Sequence, residues 1–249
     1  MPNRIIFASL CLLILNVSAS ENLVFSTGQG VVEQEVSIQV INEAYQRIAQ
    51  KFVVLQYPNM RSLVEANSGH VDGELSRISH IDQQFENLLQ VPIAINSIEG
   101  YALWAQNIRQ IVNWESLRGY KLVCVRGVQF VEQNLSLHNI HCDPVTTFSQ
   151  AVNLLQRGRY DVAVLPKNTG LNAVKNNQAK DVYIQGERLI KIDLYHYLHK
   201  KNKIILPKIT AVLQEMQGNG RISEIRAEYR LEHNLKRKVR VVNQKSHLN

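Results

Sequence analysis

The apolar residues of this chain fall into short runs separated by stretches of helical period, and the alternation occurs twice. From Asn22 to Gly30, NLVFSTGQG reads as a buried strand ending in a glycine turn. The segment after it sets Val36, Val40, Ile41, Ala44 and Ile48 on one helix face. KFVVLQY (51–57) is a second strand, MRSLVEANSG (60–69) a short helix stopped at Gly69, and HVDGEL (70–75) a third strand. Strand, helix, strand, helix, strand in that order calls for parallel pairing with right-handed crossovers.

The second half follows the same plan. YKLVCVRG (120–127) and NIHCDPV (139–145) read as strands, TTFSQAVNLLQRG (146–158) as a helix with Phe148, Ala151, Val152 and Leu155 inward, and YDVAVLP (160–166) as the strand leaving it. In both halves a helix ends at a glycine and an Asp three residues later opens a buried strand, Gly69 with Asp72 and Gly158 with Asp161. This predicts two similar α/β lobes. VPIAINSIEGYALWAQN (91–107) is apolar and extended, as a strand passing between lobes would be, and LIKIDLYHYLHKKN (189–202) is a second such stretch before two helices in 206–229. With those helices packed back on the first lobe, the chain crosses twice, and paired crossings make a hinge. The expected division is a leader at 1–20, lobe 1 at 21–103 with 198–235, lobe 2 at 104–197, and a disordered basic tail at 236–249.

Composition adds the compartment. The first twenty residues carry Arg4, an apolar run from Ile5 to Leu15 and then small residues, the pattern of a secretory leader cleaved near Ala19 or Ser20. A run of eleven residues is too short to cross a bilayer core of roughly 30 Å as a helix. Leu10 is bulky where lipoprotein processing before Cys11 needs a small residue. Loss of the leader takes the formal charge from +7 to +6, and five basic residues (Lys236, Arg237, Lys238, Arg240, Lys245) lie in the tail. The body is therefore almost neutral and lacks the basic stripe of a nucleic-acid binder. Two cysteines remain after export, Cys124 and Cys142; they either form a disulfide or stay separate, since strand partners reach bonding distance only in some registers.

The exported start, the repeated Gly-x-x-Asp element, LRGYKLVCVRG opening the second lobe, AVNLLQRGRYDVAV within it, and the ending YHYLHKKN…LQEMQGNGRISEI together resemble the family 3 extracellular solute-binding proteins. These are the periplasmic amino-acid-binding proteins of ABC importers. The resemblance spans nearly the whole exported chain. It implies an α/β, two-lobed periplasmic-binding-protein fold of type II that closes over a small solute, acts as a monomer without cofactor, and meets a membrane permease. The family's amino-acid-binding residues are absent: Gln84 stands where an Arg clamps the ligand carboxylate, Val128 and Gln129 follow Gly127 where a Ser or Thr pair is usual, and the acid that holds the ammonium falls at or near Pro166. The expected solute is thus a small polar or anionic molecule other than a standard α-amino acid.

Ligands of open α/β sheets bind outside the carboxyl ends of the strands. The candidate binding residues there are Gln29, Glu74, Ser76, Arg77, Ser79, Arg126, Gly127, Gln129 and Pro166. Arg77 or Arg126 offers a guanidinium fork in place of the missing clamp, and Glu74 orients Arg77 or meets a cation. The alternative is a purely structural Arg77–Glu74 ion pair.

Weaker patterns exclude more than they suggest. TGQG (27–30) lacks the third glycine of a dinucleotide turn, with Glu33 standing there. His138, His141, Cys142 and Asp143 are the sole cluster of possible metal ligands, but neighbours on a strand point to opposite faces, so no metal site is expected. His196 and His199 are three apart in an extended run and share no site. No nucleophile with its base is visible. The chain is therefore expected to be non-catalytic, although a few proteins of the resembled fold are exported dehydratases or lytic transglycosylases, a role for which Glu74 is the one candidate acid. Tyr101 and Trp104 either stack on a ligand or seal the first crossing against the core. A sensor subunit reporting to a membrane receptor, or a degenerate cleft with a surface function, are the competing readings.

Overall fold

Parallel sheets are built from short apolar runs, and Leu23–Phe25 and Phe52–Leu55 are two of them. In the computed structural model, which describes residues 22–105, 111–232 and 240–242, β1 (Leu23–Gly28) pairs in parallel with β2 (Phe52–Tyr57) and β3 (Gly73–Ile78). Helices α1 (Glu33–Arg47) and α2 (Asn59–Asn67) make the crossovers. Then come β4 (Leu88–Trp104), β5 (Leu122–Val125), α3 (Gln129–Leu137), β6 (Asp143–Val145), α4 (Phe148–Gln156), β7 (Val162–Pro166), α5 (Lys167–Asn176), β8 (Tyr183–Gln185) and β9 (Ile190–His199). The chain continues into α6 (Leu206–Gly218), α7 (Arg221–Glu232) and β10 (Arg240–Val242). One hydrogen-bonded path runs β2-β1-β3-β9-β4-β7-β5-β6.

The repeated Gly-x-x-Asp element has a single physical cause. Gly69 and Gly158 both have positive φ, +80° and +63°, which lets the chain turn sharply out of the preceding helix. The Asp then fastens the incoming strand to its neighbour. Asp72 donates its N–H to Val24 O at 2.6 Å and accepts the Val24 N–H on its carboxylate at 2.7 Å. Asp161 does the same with Lys121, at 2.8 and 2.7 Å. Because Asp72 is committed to this clamp, β3 begins at Gly73, three residues later than the sequence predicts. Glu74, Ser76 and Arg77 therefore sit inside the strand, all six of whose residues are buried.

The two long strands β4 and β9 pair antiparallel from Leu88–His199 to Gly100–Ile190, with breaks of register at Gln90/Ala94 and Ala94/Asn96. On the first lobe, β3 pairs with Leu194–Leu198 of β9; on the second, β7 pairs with Gly100–Leu103 of β4. The passages between the lobes run along β4 and β9.

Ile209, Leu213, Met216, Ile222 and Ile225 of the last two helices pack on the same core as Phe25, Val40, Ile41 and Tyr45. Each such side chain contributes about 1.5–3 kcal/mol on burial. In the second lobe α4 opens with a full capping box, Thr147 and Gln150 each satisfying the other's backbone N–H, and buries the four residues its period indicates. Cys124 of β5 and Cys142, just before β6, form a disulfide with Cα atoms 5.9 Å apart. The leader at 1–20 and tail residues 236–239 and 243–249 lie outside the described residues. Arg240–Val242 correct the expected disorder of the tail: they form β10, parallel to β8, whose free edge gives their backbone groups partners.

Candidate functional site

At the carboxyl ends of the strands the two lobes face each other across a cleft of about 40 Å³. That is room for about one to three water molecules. Ser76, Arg77, Gln34 and Asn59 line it from the first lobe, and Gly127, Gln129, Phe130, Phe148 and Pro166 from the second.

On the first-lobe rim, a break of register between Glu74 and Arg77 in the β3–β9 ladder lets two residues three apart meet on one side of the strand. Arg77 Nε donates to Glu74 Oε1 at 2.9 Å, and its Nη2 donates to the Asn59 carbonyl at 2.9 Å and to the Ser62 hydroxyl. The Ser26 hydroxyl donates to the other oxygen of Glu74 at 2.7 Å. Glu74 has no exposed surface; burial pushes its carboxyl up, while the Arg77 charge and the Ser26 and Ser62 hydroxyls pull it back. Glu74 therefore lies beneath the cleft and anchors Arg77, the structural alternative, and Arg77 alone of the pair reaches the lining. Ser76 donates to Gln34 Oε1 at 2.6 Å and lies 3.1 Å from the Ser37 hydroxyl, so it orients Gln34 at the rim.

On the second-lobe rim, Gly127 has φ +77°, and a Cβ there would meet Asn59 Cβ at 2.9 Å and the Met60 nitrogen at 3.0 Å. The lobes touch at this point. Gln129 opens α3, and its amide oxygen is buried with no hydrogen-bond partner among the described residues. Pro166 ends β7, and α5 starts directly after it.

Four expected residues stand elsewhere. Glu74 is below the floor. Gln29 is exposed and Ser79 half-buried, both outside the lining, the first because its N–H is tied to Tyr57 O at 2.8 Å in the β1 turn. Arg126 is exposed: its backbone N–H bonds Val145 O at 2.9 Å and Gly127, not Arg126, takes the inward place. Gln84, at the position of the family's clamp, is exposed after a short 3₁₀ turn.

The sequence did not point to Glu33. This first residue of α1, only 5% exposed, crosses between the lobes. Its Oε1 accepts the N–H of Asn168 at 2.8 Å and of Thr169 at 3.4 Å, and its Oε2 accepts the Thr169 hydroxyl. Burial pushes this carboxyl up, and the Thr169 hydroxyl with the backbone N–H groups of Glu33, Asn168 and Thr169 holds it back. A residue at a glycine-less fingerprint position carries no signal of a partner more than a hundred residues away.

The remaining motifs have structural roles. His138 pairs with Glu115 at 2.8 Å and stacks on Trp114, His141 lies 3.3 Å from Asp143, and no group of three metal-ligating side chains occurs among the described residues. His196 and His199 have separate partners, Tyr45 with Leu75 O for the first and the Lys201 N–H for the second. Trp104 stacks on Tyr183, and Tyr101 carries Lys167 Nζ 4.7 Å from its ring centre. No helix among the described residues is long and apolar enough to cross a membrane.

No protein-family model matches the chain. No curated protein matches it either. Solved structures do. A histidine kinase sensor domain with similarity to periplasmic binding proteins aligns at 16% identity and TM-score 0.69, covering 84% of this chain and 96% of that one. The GluR0 ligand-binding core in complex with L-glutamate aligns at 13% identity and TM-score 0.71, with 85% and 99% covered. A probable amino-acid ABC transporter extracellular-binding protein from Bacillus subtilis aligns at 16% identity and TM-score 0.66, with 84% and 98% covered. At these identities the likeness is one of fold: the chain has the two-lobed, type II periplasmic-binding-protein architecture.

Proposed function

We propose that this chain is an exported, periplasmic binding protein that shuts its lobes over one small polar or anionic solute and offers the closed form to a membrane permease. One observation carries the reading: where the rims meet, the Gln129 amide oxygen is buried without a partner among the described residues. An unpaired buried acceptor costs about 1–3 kcal/mol, so an N–H or O–H of a solute is the group that would relieve it. Arg77 and Ser76 stand on the opposite rim, and among the described residues no carboxylate lines the cleft, which favours a neutral or anionic solute over an amine. Both lobes have to contact the solute, since a ligand indifferent to closure shifts nothing.

The site reads as one of binding, without a cofactor and without catalysis. Both Glu74 oxygens are engaged by Ser26 and Arg77, so the one candidate acid is not free to move a proton at the cleft. Turnover of a candidate substrate that vanishes in Glu74→Gln would contradict this. The similar structures include amino-acid ABC transporter and sensor-kinase proteins, and the latter favours a second reading, a sensor subunit for a membrane receptor. A permease gene beside this one supports import, and a histidine kinase gene supports sensing. We take the working form to be a monomer with its leader removed.

A thermal-shift screen of polar metabolites tests the proposal. At a hundred times its Kd a true solute adds about 2.7 kcal/mol of stability. The expected result is such a hit whose effect falls to about half or less in Gln129→Ala; a hit of equal size in Gln129→Ala, or no hit from a broad polar library, counts against it. Arg77→Ala is a poor first variant, because it leaves the Glu74 carboxylate buried and without its cation.

A further inference from the structure

We propose that Glu33 is an internal latch that holds the lobes shut in the absence of solute. It rests on the two-lobe architecture and not on any solute being found. Glu33 is the first residue of α1 in lobe 1, and its carboxylate lies against the first turn of α5 in lobe 2, accepting from Asn168 N–H, Thr169 N–H and the Thr169 hydroxyl. Two helix N-termini, each a partial positive charge, thus face each other with one carboxylate between them. The bond is also returned: the Val32 N–H donates to the Thr169 hydroxyl oxygen at 2.9 Å.

The latch is tied to the hinge. Asn96, beside the second break of register in β4, donates from Nδ2 to the Glu33 carbonyl at 2.8 Å and to the Ser37 hydroxyl at 3.2 Å. The strand that must flex for the lobes to part therefore holds the backbone of the residue that fastens them. Asn59 and Gly127 meet on the other side of the cleft. A cleft of about 40 Å³ is what such a self-closed form should have, since nothing much larger than water fits in it.

The consequence is that solute entry competes with Glu33. A latch of charge-assisted hydrogen bonds contributes on the order of a tenfold or larger bias toward the shut state, and a solute meets an open population reduced by that factor. The bias is removable from either side of the contact.

Nitroxide labels at Val64→Cys on α2 and Leu137→Cys on α3, both exposed, report the interlobe distance by pulsed electron resonance on the purified, disulfide-bonded protein without solute. The wild type should show one main, short distance. Glu33→Ala and Thr169→Ala should each add a longer one, raising the open-to-shut ratio by about tenfold, while Glu99→Gln, which breaks an exposed pair with Arg188, should change nothing. Thr169→Ala keeps the carboxylate and removes one hydroxyl, so it carries the test where Glu33→Ala fails to fold. A wild-type distance distribution in Thr169→Ala, or a wild type that is already mainly open, overturns the latch. Since no solute is present, failure to identify one leaves this result readable, and loss of the latch leaves the binding proposal standing.

Discussion

His196 is the sharpest case of what a single residue does here. Its ring has no exposed surface; Nδ1 lies 3.0 Å from the Leu75 carbonyl and Nε2 3.0 Å from the Tyr45 hydroxyl. A carbonyl only accepts, so Nδ1 bears the proton and Tyr45 donates to Nε2. Burial pushes the His196 pKa down to about 4 from the ordinary 6.5. The folded state therefore resists protonation, while the unfolded chain takes a proton near pH 6.5, and stability falls as pH drops from about 6.5 to about 4. At about 1.36 kcal/mol per unit the loss reaches about 3 kcal/mol at pH 4. Chemical denaturation of wild type and His196→Gln across that window measures it: the variant, less stable at neutral pH, should lack this slope. Parallel curves would contradict the assignment. The same scale explains what was legible in the site. Ser76, Arg77, Gly127, Gln129 and Pro166 line the cleft and stand at strand ends and helix starts, which local pattern reveals. Glu33 and Asn59 were invisible because their partners are set by how the lobes meet.

At the scale of elements, Gly127 tests how closely the lobes approach. Alanine there is held at a positive φ, which costs about 1–2 kcal/mol, and it also drives a Cβ into Asn59 of the other lobe. Gly119, with φ +85° and nothing within 4 Å of where a Cβ would stand, would bear only the backbone cost. Gly127→Ala should lose at least as much stability as Gly119→Ala, and only Gly127→Ala should raise the radius of gyration in small-angle scattering; equal scattering would mean the contact does not limit closure. Most strands and five helices could be read from the sequence because apolar runs and helical period agree there. The helix α5 could not. KNTGLNAVKN holds three Asn, a Thr and a Gly, all poor helix formers. Packing decides it instead: Gly170 lets the helix approach Leu165 and Leu103, whose side chains would stand 3.2–3.3 Å from a Cβ. The start of β3 was misplaced for a related reason, since Asp72 looks like a strand residue but serves as a clamp on Val24.

For the molecule as a whole, two lobes share one hydrogen-bonded path of strands, and among the described residues only β4 and β9 connect them along it. So few connections make closure a movement of rigid halves about two strands. The repeated Gly-x-x-Asp made the two lobes legible in the sequence, whereas the closed state was not, because it depends on Glu33 and Thr169 meeting across 136 residues. In the proposed closed complex one solute is held from both rims at once. Isothermal titration of the screened solute into wild type, Ser76→Ala from lobe 1 and Gln129→Ala from lobe 2 tests it most directly. One site per chain is expected, with a loss of affinity of about tenfold or more in each variant, the equivalent of about 1.4 kcal/mol. Full affinity in either variant would mean that one lobe binds alone, and would contradict it.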